Sequence, residues 1–238
     1  MAVKRNASGT RMLTVFECIA RHQPLGVTAL ARELAADKSA VQRDLMTLAD
    51  AGWIRPAPDN QGQWELSPHV LTLARAPHSA NALRQRARPV LEHLRGDTGE
   101  TVYLTIPDGD HFVVIDALES FHMLRMVPPV GIVVPVEGSA TARAVLPWLS
   151  DAEAERLIGR APSVSEKADW AEVRQKGYAI NNEDLVPGAI AMAAPILGPG
   201  AVPLGTLVLT GPAERLSPDR REELGQRLRA AALQLSDS

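Results

Sequence analysis

One short segment near residue 40 carries polar side chains that can hydrogen-bond to nucleic-acid bases. Val41, Leu45 and Leu48 recur at helical spacing, which predicts the buried face of a helix. The opposite face carries Ser39, Gln42, Arg43, Met46 and Asp50. Amide and guanidinium groups match the donor and acceptor patterns of base edges in the DNA major groove. We therefore predict that this helix reads DNA, with Gln42 and Arg43 as the base-contacting residues.

Residues beside this helix are suited to hold the DNA backbone. Lys38 and Ser39, near the helix start, are candidates for phosphate contacts. Two short strand-like pieces, 53–55 and 63–66, flank a turn rich in Pro, Asp, Asn and Gly and so predict a hairpin. The hairpin residues that would meet the adjacent phosphates or the minor groove are Arg55, Asn60 and Gln61.

Two further helices must hold the predicted DNA-contacting helix in place. The first repeats apolar side chains at helical spacing over 12–19, and the second is expected from Ala29 to Ala35 with Thr28 as its N-cap. Asp37 is the expected N-cap of the third helix, which should stop at Gly52. Three short helices and a hairpin are the outline of a winged helix-turn-helix. A small helical domain that binds protein instead of DNA would show the same pattern.

Composition and charge narrow the function classes. The chain has 238 residues, a net charge of −3 and one cysteine, which excludes an internal disulfide. It shows neither a secretory signal nor an apolar run of roughly 20 residues, so we expect a soluble cytoplasmic protein without a membrane partner. Residues 1–95 carry 13 Lys and Arg against 8 Asp and Glu, whereas residues 96–238 carry 12 against 20. This asymmetry suggests that only the first part meets a polyanion, although two ordinary domains of different charge would look the same.

The rest of the chain predicts a mixed α+β architecture with an antiparallel sheet. We expect a winged helix-turn-helix domain over 1–70, a helical linker over 71–95 with a kink or break at Pro89, and a C-terminal domain over 96–238. Strands are predicted at 101–106, 111–118, 122–127, 178–181, 189–197 and 203–210. Helices are predicted at 140–149, 151–158, 166–176 and 218–235.

No constellation of residues in the sequence indicates catalysis. The six histidines are scattered without the spacing of helical metal ligands, and there is no Gly-x-Ser-x-Gly elbow and no P-loop. The paired acids Asp108 and Asp110, and the run 182–184, lie at turns where acids are usually solvated. We therefore expect no enzyme, no catalytic residue, no metal and no cofactor.

Ordered fragments along residues 10–235 resemble the IclR-type bacterial transcription regulators. The N-terminal fragments are Thr28–Ala31, Lys38–Leu45 and Leu48–Ile54. The C-terminal fragments are Gly99–Leu104, Arg174–Ala179, Gly188, Ile190–Ile196 and Gly205–Pro212. The resemblance implies a homodimer or homotetramer that binds a palindromic double-stranded DNA operator. It also implies a GAF-like C-terminal domain whose pocket binds a small-molecule effector, commonly a carboxylate or an aromatic acid.

The resemblance also implies where such an effector would bind. The expected positions are Ala140, Thr141, Asn181, Ala189, Ala191, Val208 and Thr210. Small residues and free amides at a helix start suit an anionic oxygen. This chain departs from the family pattern, since Ala142 replaces a frequent Gly, Asn181 a frequent acid and Val208 a frequent hydroxyl residue. We therefore predict a less polar pocket for a larger or more apolar effector. The alternative is a regulator whose C-terminal domain only oligomerises.

Overall fold

The computed structural model describes residues 6–74 and 79–236, and these two ranges belong to separate units. The helices of the first unit are α1 (Ala7–His22), α2 (Val27–Glu33), α3 (Lys38–Asp50) and α4 (His69–Ala74). Its strands are β1 (Leu25–Gly26), β2 (Ile54–Pro56) and β3 (Gln63–Leu66). Strand β3 lies in the centre of the small sheet and pairs antiparallel with both β1 and β2. This is the predicted winged helix-turn-helix arrangement.

The core of the first unit forms because each helix buries one apolar stripe. Val15 and Ile19 of α1 meet Leu30 of α2 and the predicted inner face of α3, including Val41 and Leu45. All five side chains are fully buried. Removal of this apolar surface from water holds α3 against the other two helices, with its polar face left outside.

The start of α2 differs from the prediction. Its N-cap is Gly26 instead of Thr28, and the helix begins at Val27. The reason is that Leu25 and Gly26 pair with Trp64 and Gln63, so the chain passes directly from a strand into the helix. The sheet pairing is a long-range contact that local capping rules do not contain.

The second unit is a six-stranded sheet with helices on both faces. Its helices are α5 (Ser79–Thr98), α6 (Ala140–Val145), α7 (Asp151–Ile158), α8 (Val164–Lys176) and α9 (Pro218–Ser236). Its strands are β4 (Thr101–Asp108), β5 (His111–Leu118), β6 (Val133–Val134), β7 (Ala179–Asn182), β8 (Ala189–Leu197) and β9 (Pro203–Pro212). The strand order is β6-β5-β4-β9-β8-β7, and every neighbouring pair is antiparallel. The predicted α+β class is confirmed.

Alternating side chains of the sheet supply two separate cores. On β9, Leu207 and Leu209 join the core that contains residues of α5 and α9, including Leu91 and Leu228. Val208, between them in sequence, joins a core with residues of α6. Since successive residues of a strand point to opposite faces, the sheet separates these two layers.

The predicted linker over 71–95 needs correction, because most of it belongs to the second unit. Leu83, Ala87, Leu91 and Leu94 of α5 are buried in the core beneath α9. Helix α5 also continues through Pro89, where we expected a kink or break. A proline inside a helix costs about 3 kcal/mol, and burial of apolar side chains on both sides of Pro89 offsets that cost.

The predicted strand over 122–127 is wrong. Residues 121–132 follow an irregular path, and the edge strand β6 lies further along the chain. Two prolines, Pro128 and Pro129, cannot donate to a ladder, and the carbonyl of Leu124 accepts a hydrogen bond from Arg215 instead of a strand neighbour. The predicted helix over 140–149 is also shorter, since α6 ends at Val145 in a 3-10 turn that contains Pro147.

The described ranges, 6–74 and 79–236, hold neither a membrane-spanning helix nor a clustered metal site. No helix there is long and apolar enough to cross a membrane. No group of three or more His, Cys, Asp or Glu side chains in those ranges is arranged to hold a metal ion.

Candidate DNA-binding surface and ligand cavity

The N-terminus of α3 is held by its predicted cap. Asp37 Oδ1 accepts hydrogen bonds from the backbone N–H groups of Ser39 (2.9 Å) and Ala40 (3.1 Å) and from the Ser39 hydroxyl. The hydrogen bond from the Ser39 hydroxyl is the main cause that lowers the pKa of Asp37 below its ordinary value. Asp37 is therefore ionised at neutral pH and satisfies amides that the first turn would leave without partners.

A buried ion pair that the sequence analysis missed joins α3 to α1. Asp44 lies among the inward-facing residues of α3 and accepts two hydrogen bonds from Arg11, at 2.7 Å from Nε and 3.2 Å from Nη2. The paired geometry fixes how α3 is rotated on α1. The available signal was an acid on the apolar side of the helix beside Leu45, since a buried carboxylate requires a partner.

The polar face of α3 is exposed as predicted. Ser39, Gln42, Arg43, Met46 and Asp50 all lie at the surface. The side chains of Lys38 and Gln42 make no hydrogen bond or ion pair with a described residue. Arg43 Nη1 donates a hydrogen bond to the Ser39 hydroxyl oxygen at 3.4 Å. The face thus offers one amide and two cationic groups to an outside partner, whereas the hydroxyl proton of Ser39 is engaged with Asp37.

The hairpin holds its predicted phosphate-contacting arginine through a cross-strand pair. Arg55 and Glu65 face each other in the register of β2 and β3, and Arg55 Nε donates to Glu65 Oε1 at 2.7 Å. The Arg55 side chain remains 52% exposed, so its terminal nitrogens stay accessible. Asn60 and Gln61 are exposed in the turn between the strands.

Six of the seven residues predicted to bind an effector border one cavity in the second unit. Its volume is about 320 Å³, and it lies on the face of the sheet that carries α6. The six residues are Ala140, Thr141, Asn181, Ala189, Ala191 and Thr210. Val208 does not border the cavity, because it is fully buried in the adjacent core.

The remaining walls of the cavity come from residues that sequence reasoning missed. An apolar segment at 126–135 contributes Met126, Val127 and two prolines, together with Ile132 to Pro135. Leu185 and Val186 border it as well. None of the described residues that line the cavity carries a charge, which agrees with the predicted low polarity. The signal in the sequence was an apolar run interrupted by prolines, which disfavour a continuous paired strand.

The polar side chains around the cavity mostly have internal partners. Asn181 donates from Nδ2 to the carbonyl of Gly138, and its Oδ1 accepts from the backbone N–H of Asp184 at 2.9 Å. Thr210 donates to the carbonyl of Ile190 at 2.9 Å. Tyr103 differs, because its hydroxyl makes no hydrogen bond with a described residue. Burial raises the pKa of Tyr103, so the hydroxyl is a neutral donor at physiological pH.

A helix-turn-helix unit with an exposed polar helix, followed by a separate sheet unit, is the architecture of a two-domain transcription regulator. A family model of the IclR helix-turn-helix domain matches residues 9–58, and one of the bacterial transcriptional regulator IclR C-terminal domain matches residues 76–237. The chain therefore belongs to the IclR family. It is a transcription regulator with a DNA-binding helix-turn-helix unit and is not an enzyme.

Known relatives align over almost the whole chain. The transcriptional repressor IclR of Escherichia coli is 27% identical, and the acetate operon repressor of Salmonella typhimurium is 29% identical; each alignment covers 95% of this chain and 88% of the relative. The structure of an IclR transcriptional regulator from Alicyclobacillus acidocaldarius matches with a TM-score of 0.83 and 21% identity, covering 98% of this chain and 99% of the other. An IclR homologue from Microbacterium hydrocarbonoxydans, solved with 4-hydroxybenzoate, matches with a TM-score of 0.82 and 19% identity, covering 97% and 98%.

Proposed function

We propose that this regulator binds a palindromic operator as a homodimer or homotetramer and that an apolar organic acid, such as an aromatic acid, controls that binding. The observation that carries the proposal is the uncharged cavity of about 320 Å³ beside α6, which is large enough for a small organic ligand. A ligand changes the DNA affinity only if it binds the DNA-binding conformation and the non-binding conformation with different affinities. The ratio of those two affinities limits the size of the change.

The DNA contacts follow from the exposed face of α3. Gln42 and Arg43 are proposed to contact base edges, while Lys38, Ser39 and Arg55 contact phosphates. For Ser39 this role requires its hydroxyl proton to turn from Asp37 to a phosphate oxygen, because a phosphate only accepts hydrogen bonds. For Arg55 the phosphate contact uses the terminal guanidinium nitrogens, since Nε donates to Glu65.

Replacement of Arg43 tests whether α3 reads sequence. Arg43→Ala should weaken binding to the operator by about 1–3 kcal/mol, because a guanidinium that contacts a guanine makes two hydrogen bonds at once. Binding to random duplex should change much less. Fluorescence anisotropy with both duplexes measures the two affinities, and Arg21→Ala on α1 removes the same charge as a control. Equal losses on both duplexes would show that Arg43 contacts only phosphate.

The chemistry of the cavity favours a ring or other apolar body with one polar end. The wall at 126–135 and the side chains of Leu185 and Val186 provide apolar contact. The Tyr103 hydroxyl and the first backbone N–H groups of α6 are donors for the polar end. The relative solved with 4-hydroxybenzoate supports this ligand class, since it shares the fold.

Filling the cavity tests whether it is the effector site. A native-state ligand at 100 times its Kd stabilises a protein by about 2.7 kcal/mol, which corresponds to a melting shift of roughly 5–11 °C for a unit of this size. We expect such a shift with a member of an aromatic-acid panel, with 4-hydroxybenzoate as the first probe. Ala191→Leu, which places a larger side chain at the cavity wall, should abolish the shift. Ala152→Leu, at an exposed position of α7, should leave it intact.

The alternative function, a C-terminal unit that only oligomerises, has one observation in its favour. Asn181 and Thr210 already have internal hydrogen-bond partners and need no ligand to satisfy them. If no organic acid of the panel raises the melting temperature, this alternative replaces the effector proposal. DNA binding by α3 would be unaffected by that outcome.

A further inference from the structure

A second cavity lies at the other end of strand β8, where that strand extends past its edge neighbour. Pairing of β7 with β8 begins at Ala179 opposite Ala193, so the residues from Pro195 to Leu197 have no partner strand on that side. The cavity beside them has a volume of about 600 Å³. It shares no lining residue with the cavity described above. Its main lining side chains are Trp148, Arg174, Pro195, Leu197, Arg229 and Leu233.

Two arginines border this cavity without a carboxylate partner among the described residues. Arg174 donates from Nε to the carbonyl of Pro147 at 2.6 Å, which fixes its side chain and leaves the terminal nitrogens unpaired. The side chain of Arg229 makes no hydrogen bond or ion pair with a described residue. The Arg229 side chain packs across Gly177, where an added Cβ would lie 2.7 Å from Arg229 Cδ.

The indole ring of Trp148 forms part of the cavity wall. Its Nε1 atom is buried and is not exposed to the cavity, so the two arginines are the donors on this side. No Asp or Glu lies among the described residues that line the cavity. The polar side of the cavity is therefore rich in donors and positively charged, and its other walls, Pro195, Leu197 and Leu233, are apolar.

We propose that this cavity, which we call the arginine cavity, binds an organic carboxylate with an apolar body. The carboxylate accepts hydrogen bonds from Arg174 and Arg229, because guanidinium groups bind carboxylates through charge-assisted hydrogen bonds. The apolar body lies against Pro195, Leu197 and Leu233. The regulator thus has an anion site that is separate from the proposed effector cavity.

Indole N–H signals in nuclear magnetic resonance spectra of the full chain test this proposal. The chain has four tryptophans, and Trp148→Phe identifies the signal of Trp148. Benzoate should shift that signal in a saturable manner, since the bound ligand would lie beside the Trp148 indole that borders the cavity. Benzamide, which has the same ring without the charge, should not. A Trp148 signal that stays constant up to millimolar benzoate would overturn the proposal.

Matched variants separate the arginine cavity from other sites. Arg229→Gln should weaken the benzoate-dependent shift at least tenfold, whereas Arg227→Gln, two positions away and paired with Glu223, should not. Ala191→Leu in the other cavity should also leave the shift unchanged. An equal effect of the two arginine variants would contradict the site.

The chain's own acidic residue at position 237 is the competing occupant, since Ser236 lines the cavity and Asp237 follows it in sequence. A chain that ends at Ser236 should bind benzoate with unchanged affinity. If the shortened chain binds benzoate at least tenfold more tightly, the occupant of the cavity is the carboxylate of Asp237 and not an external one, and the proposal is overturned.

Discussion

Loss of Arg215 should destabilise the second unit strongly, because it leaves a buried carboxylate without its partner. Glu100 is 1% exposed and accepts two hydrogen bonds from Arg215, at 2.6 Å from Nε and 2.7 Å from Nη2. Breaking a buried ion pair by removal of one partner costs about 3–5 kcal/mol. The Arg215 side chain is 24% exposed, so water can reach part of the site and the lower end applies. Arg215→Ala should therefore cost about 3 kcal/mol, or roughly 6–12 °C in melting temperature.

Denaturant unfolding of the full chain, followed by circular dichroism, measures this cost. Lys167→Ala is the control, since it breaks an exposed pair with Asp151 and should cost less than about 0.5 kcal/mol. Replacement of both Glu100 and Arg215 by methionine should restore most of the loss, because no buried charge then remains without a partner. A loss below about 1 kcal/mol in Arg215→Ala, or a double variant no more stable than Arg215→Ala, would refute this reasoning.

Arg215 also bears on the proposed effector cavity. Its Nη1 atom donates to the carbonyl of Leu124 at 3.0 Å, just before the apolar wall at 126–135. The same variant should therefore weaken the melting shift produced by an aromatic acid.

Three further changes probe the fold. Asp37→Ala should lower the melting temperature at pH 7. The folded state lowers the pKa of Asp37, so this difference should begin to fade as the pH falls below about 4, the ordinary pKa of an aspartate. Asp37→Asn should keep most of the stability, because the asparagine side chain can still accept the capping hydrogen bonds. Leu228→Ala, at a fully buried position of α9, should lower the free energy of unfolding in urea by about 2–5 kcal/mol. A smaller decrease would mean that neighbouring side chains move into the space that Leu228 occupied. Gly205→Ala would place a Cβ 2.4 Å from the carbonyl oxygen of Thr105, so the two strands must separate; an unchanged melting temperature would contradict that spacing.

Local periodicity was sufficient to predict most elements of the fold. The helix from Lys38 has the predicted cap at Asp37, and the hairpin joins the two strand-like pieces that flank the predicted turn. The long strands at 111–118 and 189–197 lie where they were predicted. These features depend on neighbours within a few residues, which is the range that hydrophobic periodicity and capping rules report.

Long-range pairing explains the features that the sequence did not reveal. The ion pair of Glu100 with Arg215 joins residues 115 positions apart, and that of Arg11 with Asp44 joins residues 33 apart. Neither spacing has a local signature. The cavity wall at 126–135 was misread in part as a strand, because apolar composition alone does not distinguish a paired strand from a loop that covers a cavity.

Selection of bound fragments from a random duplex library tests the central claim, sequence-specific operator binding through α3, most directly. The account predicts enrichment of a palindromic motif whose affinity falls with salt by about 0.9 log unit per log unit of salt for each phosphate contacted. Arg43→Ala should relax the enriched motif at the base pair that Arg43 reads. A library that shows no enriched motif, with equal affinity for all duplexes, would contradict the account.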